Sequence, residues 1–286
     1  MSKAAARKRP LILVSEDYDP EEWARVEGES EVQSWLAVAQ DLWGVGCYAP
    51  GQREAARTGA GGLTITKKQI VGAIGGALGG FAEVASANGG AYIDVFDCDV
   101  EVLDFKRKDP AAGKLLKLAG WDPVQPAFTA DRYHSLFAVR AMSRCTALEP
   151  FLKALAGSVK PGGQLFAEEL HANDPSVAAL IGQSIAGPGQ RLTLHATETA
   201  TRALQSEGLE LRSTATVNEQ LAAIIHAGLA RGQEIAQLLK TVPQPFRKQR
   251  MRAFTDELQR AAVLYQALDR GLVTAIQTIH RKPAAI

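Results

Sequence analysis

The residues best placed to do chemistry form one run, Val71-Gly72-Ala73-Ile74-Gly75-Gly76-Ala77-Leu78-Gly79-Gly80, followed by Ala91-Tyr92-Ile93-Asp94-Val95-Phe96 with Asp97 at its end. An apolar stretch, a loop free of bulky side chains, a helix start and an acid closing the next strand make the layout of a nucleotide-binding crevice. A second group, Arg140, Glu168, Glu169 and His171, follows two later apolar runs. Ligands of open α/β sheets bind outside the carboxyl ends of the strands, so these four are candidates for proton transfer or substrate contact.

The elements that must position these groups are legible in outline. From Lys67 onward strand and helix patterns alternate, which argues for a parallel sheet with helices on its faces. Strands are expected at about 69–74, 91–96, 124–128, 135–139, 164–169, 209–217 and 272–280. Pro123 and Pro126 confine the third of these to an edge or a bulge. Phe81, Val84 and Ala85 give one apolar face to a helix starting near Leu78, and Leu148, Phe151, Leu152, Leu155 and Val159 do the same for another. Further helices are expected over 111–119, closed by Gly120, over 198–208, and over an insertion at about 218–270. Pro161-Gly162 has the chemistry of a type II turn, proline presetting the first central dihedral and glycine accepting the positive φ of the second. Residues 1–66 read as an N-terminal extension with short helices near 20–42 and a loop to about 66. Its aromatics Tyr18, Trp43 and Tyr48 read as partial core.

Composition excludes several classes. With 286 residues the chain buries a real core, and 32 Lys and Arg against 31 Asp and Glu leave a net charge of +1, which does not mark a nucleic-acid binder. The basic residues Lys3, Arg7, Lys8 and Arg9, and the cluster Arg247, Lys248, Arg250 and Arg252, read as solvated. Cys47, Cys98 and Cys145 lack metal-ligand spacing and are odd in number, so no metal is expected and a reducing, cytoplasmic setting is the default. No apolar stretch has the length of a membrane span.

The order of parts resembles a class I S-adenosylmethionine (SAM)-dependent methyltransferase, particularly the small-molecule and cyclopropane-synthase-like enzymes. The resemblance rests on Val71–Gly80, Asp97, Ser135–Met142, Val159-Lys160-Pro161-Gly162-Gly163, Glu207-Gly208-Leu209-Glu210-Leu211 and Ile279-His280-Arg281-Lys282-Pro283, and it covers about 65–286. It implies a Rossmann-like α/β fold: a seven-stranded, mostly parallel sheet with an antiparallel last strand, flanked by helices, in a domain at 67–286 whose helical insertion is a lid or an interface for a second copy. It implies SAM as cofactor, held by Gly75, Gly76, Gly79, Asp97, Cys98 and Asp131. Asp97 takes the place of the acid that accepts hydrogen bonds from the ribose hydroxyls. Glu169, His171 and Arg140 are the catalytic candidates, acting on a small or lipid-like molecule.

Two departures bear on the activity. Ala73 stands where the family carries an acid at the end of the first strand, and Ala77 stands in place of the central glycine. Loss of one charge-assisted hydrogen bond to the cofactor's ammonium removes about 1.5–3 kcal/mol, roughly one to two decades of affinity. The first function is therefore a SAM-dependent methyltransferase, and the alternative is a catalytically silent methyltransferase-like scaffold or regulatory protein that has lost normal SAM binding. A Rossmann oxidoreductase ranks third, because the Gly-x-Gly-x-x-Gly fingerprint is absent.

Overall fold

The structure, a computed structural model, describes residues 29–75, 80, 90–107, 116–145 and 147–284. The helix expected from Leu78, with Gly76 and Gly79, lies outside the described residues, as do Tyr18 and the basic N-terminal residues. Seven strands, β1 (Ile70–Ile74), β2 (Tyr92–Asp97), β3 (Leu116–Gly120), β4 (Tyr133–Val139), β5 (Val159–Ala172), β6 (Glu210–Thr216) and β7 (Val273–Arg281), form one sheet. Their order is β3-β2-β1-β4-β5-β7-β6. β1 pairs in parallel with both β2 and β4, while β7 runs antiparallel to both β5 and β6. The last strand thus lies inside the sheet, with β6 as the edge. The chain order reverses between β1 and β4, which makes the carboxyl ends of β2, β1 and β4 the natural mouth for a ligand.

Three expectations are corrected. Residues 124–128 form no strand; the third strand is Leu116–Gly120, pairing with β2 from Ile93↔Leu116 to Asp97↔Gly120. The helix expected over 111–119 is replaced by that strand from Leu116 on, since Leu116-Lys117-Leu118-Ala119 satisfies a two-residue period as well as a helical one. Residues 52–62, expected as loop, are helical.

The helices are α1 (Glu31–Trp43), α2 (Gln52–Gly62), α3 (Val100–Arg107), α4 (Leu148–Ser158), α5 (Pro175–Ile185), α6 (Thr197–Ser206), α7 (Asn218–Ala230), α8 (Gly232–Lys240) and α9 (Gln244–Asp269). α1 starts with a capping box, in which the Ser30 hydroxyl accepts from Gln33 N and the Gln33 side chain accepts from Ser30 N; two orphan amides of the first turn are satisfied reciprocally.

β4 is buried on both faces, which fits its unbroken apolar sequence. Leu136 and Ala138 join Leu165 and Ala167 with α4 and α6 on one side. Phe137 and Val139 join Phe166 with α1, α2 and α9 on the other. α2 sits so close to the sheet that a Cβ on Gly59 would lie 2.7 Å from the Phe137 ring and 2.8 Å from that of Phe166. The glycines that suggested a loop are what let this helix reach the sheet.

Candidate functional site

Three strand ends and one turn build the mouth. β1 ends at Gly75, whose φ of +85° and close approach to the Val139 carbonyl, 2.1 Å from where a Cβ would stand, leave room only for glycine. Its carbonyl accepts from the Tyr48 hydroxyl at 3.2 Å and from Gln52 Nε2 at 3.3 Å. Gln52 Oε1 in turn accepts from the backbone amides of Tyr48 and Ala49 at 2.8 and 3.1 Å. The segment between α1 and α2 is thereby fastened over the end of β1.

β4 leaves the sheet through Arg140, a non-glycine residue at φ +52°. Such a backbone costs on the order of 1–3 kcal/mol and persists only where its surroundings fix it. Here they do: Arg140 N donates to Glu168 O, and the Glu169 carboxylate accepts from Met142 N at 2.7 Å, Ser143 N at 3.1 Å and Leu170 N at 3.0 Å. Burial pushes the Glu169 carboxyl up, opposed by the nearby Arg140 charge and these amides. Glu169 thus pins the short 3-10 turn Met142–Arg144 to β5.

The pinned turn aims Arg144 across the mouth. Its Nη1 lies 2.9 Å from Asp97 Oδ1 and 3.1 Å from the Tyr48 hydroxyl oxygen, and Nη2 lies 3.8 Å from Asp99 Oδ2. Asp97 Oδ1 also accepts from Asp99 N at 3.0 Å, and Oδ2 faces the Tyr48 hydroxyl at 3.4 Å. Asp97 is 0% exposed, Tyr48 5% and Arg144 9%. Burial works against the Arg144 charge, but Asp97, Tyr48, Cys98 and Asp99 more than offset it and hold its pKa above the ordinary value. Burial, reinforced by Asp97, raises the Tyr48 phenol, and burial pushes the Cys98 thiol up to about 11. A neutral thiol, a neutral phenol and a closed ion pair meet at this mouth. Among the described residues, Asp97, the carboxylate expected to accept from a ribose, is already bonded to Arg144.

A separate cavity of about 60 Å³ lies over the carboxyl ends of β4 and β5, roofed by α1 and α9. Its charged lining is Arg140, Arg144, Arg260 and Glu257, beside apolar residues such as Trp35 and Leu264. Glu257, 4% exposed, accepts from the indoles of Trp35 at 2.8 Å and Trp43 at 2.7 Å and from Arg260 Nε at 2.9 Å. The Arg260 guanidinium also stands 5.9 Å over the Trp35 ring. Arg140 binds Glu168 through Nη2 at 3.1 Å, and Glu168 accepts from Gln277 at 2.7 Å.

The site residues anticipated from sequence are distributed as follows. Arg140 lines the cavity. Glu169 and His171 are buried but do not line it, and His171 Nδ1 stands 3.0 Å from the His195 carbonyl. Gly75, Asp97 and Cys98 come together at the mouth, whereas Asp131 precedes β4 at the opposite end of the sheet, bonded to Lys282 at 2.9 Å. Sequence reasoning missed Gln52, Arg144, Glu257, Arg260 and Gln190 as site residues. Glu257 carried a signal: it falls in register with Phe254, Leu258 and Ala261, a carboxylate inside an apolar helical stripe.

No family model matches the sequence, and no curated protein does. Among solved structures, the chain is similar to Haemonchus contortus phosphoethanolamine N-methyltransferase 2 in complex with phosphomonomethylethanolamine and S-adenosylhomocysteine (SAH), with a TM-score of 0.73 at 14% identity over 88% of this chain. It spans 58% of that protein's length. It is similar to geranyl diphosphate C-methyltransferase from Streptomyces coelicolor A3(2), with a TM-score of 0.60 at 10% identity over 81% of this chain and 77% of that one. It is also similar to the [4+2]-cyclase SpnF, with a TM-score of 0.59 at 12% identity over 82% of each chain. The fold is that of the class I SAM-dependent methyltransferases.

Proposed function

We propose that this chain is a methyltransferase-like binding or regulatory protein: it retains a small-molecule chamber over β4 and β5 and keeps its cofactor mouth shut with its own side chains. The observation that carries this reading is the clasp of Arg144, Asp97 and Tyr48, which uses the carboxylate that a nucleoside ribose would need. Ala73 and Ala77 support it, since both glycine-motif departures weaken the same cofactor. The similarity to SpnF supports it from another side, because that protein is described as a cyclase and fold alone does not dictate methyl transfer.

The second reading, a SAM-dependent methyltransferase acting on a small or lipid-like molecule, is favoured by one observation. Tyr48 and Arg144 line the chamber as well as the mouth, so withdrawal of Arg144 would join the two spaces. Phosphomonomethylethanolamine and geranyl diphosphate, bound by solved neighbours, are the kinds of acceptor that reading would entail.

Calorimetry with SAM and with SAH separates the two. The expected result is no heat with wild type at millimolar ligand, and measurable SAH binding in Arg144→Ala that Asp97→Ala abolishes. Wild-type binding of SAM below a millimolar Kd, lost in Asp97→Ala, overturns the closed mouth and leaves the methyltransferase reading.

A further inference from the structure

Two buried nitrogen donors have no hydrogen-bond partner among the described residues and line the same cavity: Arg260 Nη2 and Gln190 Nε2. Buried donors are ordinarily satisfied, and leaving one unpaired is costly, so two on residues that line one cavity mark a place where acceptor oxygens belong. The charged lining is three guanidiniums to one carboxylate, and that carboxylate, Glu257, is turned toward two indoles and Arg260 Nε. Arg140 and Arg144 have their carboxylates, Glu168 and Asp97, outside the lining. Gln190 is held with its amide oxygen toward Gly187 N at 3.3 Å, which leaves the NH2 as the group without a partner. Gly187 is itself pressed so closely on Trp35 that a Cβ would lie 2.5 Å from the ring, so the loop bearing Gln190 is fixed against the chamber wall.

From this geometry we infer that the chamber binds a small anion through its oxygens, a carboxylate or a phosphate monoester, with Arg260 Nη2 and Gln190 Nε2 donating to it and the apolar wall of Trp35, Leu170 and Leu264 taking a short carbon chain. The inference rests on the reading of the chamber as a ligand site and names the ligand's class. A cavity of this size holds a few waters in the free protein, which the anion's oxygens replace at the same donors.

The test titrates the full chain with butyrate, propyl phosphate, butanol and butylamine, following the side-chain N–H signals of arginine, glutamine and tryptophan by NMR. Butyrate or propyl phosphate is expected to move the Arg260, Gln190 and Trp35 signals in wild type, in roughly the millimolar range for so few atoms. The stronger of the two identifies the head group. Gln190→Glu keeps the acceptor for Gly187 N while exchanging the free donor for a negative charge, and Arg260→Gln removes the other donor. Each is expected to weaken anion binding about tenfold or more, while an unmoved Trp43 indole signal in the free variant certifies that Glu257 is still in place. Butanol or butylamine binding as tightly as butyrate overturns the anion assignment and leaves the chamber a ligand site. Silence of all three signals with all four compounds overturns the chamber itself.

Discussion

The mouth and the chamber share two residues, Tyr48 and Arg144, yet they are opposites. At the mouth the polar groups answer one another: Arg144 meets Asp97, Tyr48 faces Asp97 and Gly75, and Gln52 binds Gly75 and the two amides behind it. In the chamber two donors are left over and space remains. A region that satisfies its own hydrogen bonds gains little from a ligand; a region with buried donors to spare gains much. The fold places its ligand mouth at the strand switch point, but two of the buried donors without partners among the described residues belong to side chains lining the chamber instead.

Substitutions should break this comparison in graded steps. Arg144→Ala leaves Asp97 buried without its guanidinium and is expected to cost about 3–5 kcal/mol, measured by urea denaturation. Adding Asp97→Asn should recover part of that loss, and a double-mutant cycle that shows strict additivity would deny the clasp. Glu257→Gln sets an amide nitrogen against indole and guanidinium donors and should cost roughly 2–3 kcal/mol.

A pH effect comes next. Burial lowers the His280 imidazole to about 4, below the ordinary 6.5, so its contribution is complete above pH 6.5 and is lost as pH falls toward 4. The loss by pH 4.5 should be on the order of 2 kcal/mol, and His280→Phe should flatten it. Asp41 acts in the other direction: burial raises it to about 6, so the stability it lends is present below pH 4 and vanishes as pH rises through 6. Equal acid sensitivity of wild type and His280→Phe would remove His280 from this account. The smallest effect belongs to the chamber. Gln190→Leu gives up one bond to Gly187 but also discards an unsatisfied donor, and its urea midpoint should shift by less than about 1 kcal/mol in stability.

β1 and β4 were legible because a strand buried on both faces writes a nearly unbroken apolar run, β5 because the Pro161-Gly162 pair announces it, and Asp97 because it closes the strand-like run before it. β3 was not, because Leu116-Lys117-Leu118 fits two periods and only pairing with β2 decides between them. α2 was hidden by Gly59, Gly61 and Gly62, residues that lower helix propensity yet allow Gly59 to meet Phe137 and Phe166. At the site, Arg144 lies 47 positions from Asp97 and Glu257 lies 222 from Trp35; pairings at such separations follow from the topology and leave no local pattern in the chain.

The carboxylate of Glu169, by tying the Met142–Arg144 turn to a central strand, makes the Arg144–Asp97 pair a property of the scaffold. Placing an acid at Ala73 and a glycine at Ala77 would therefore leave that pair as it stands. A nucleoside that is to reach Asp97 has to displace Arg144 first.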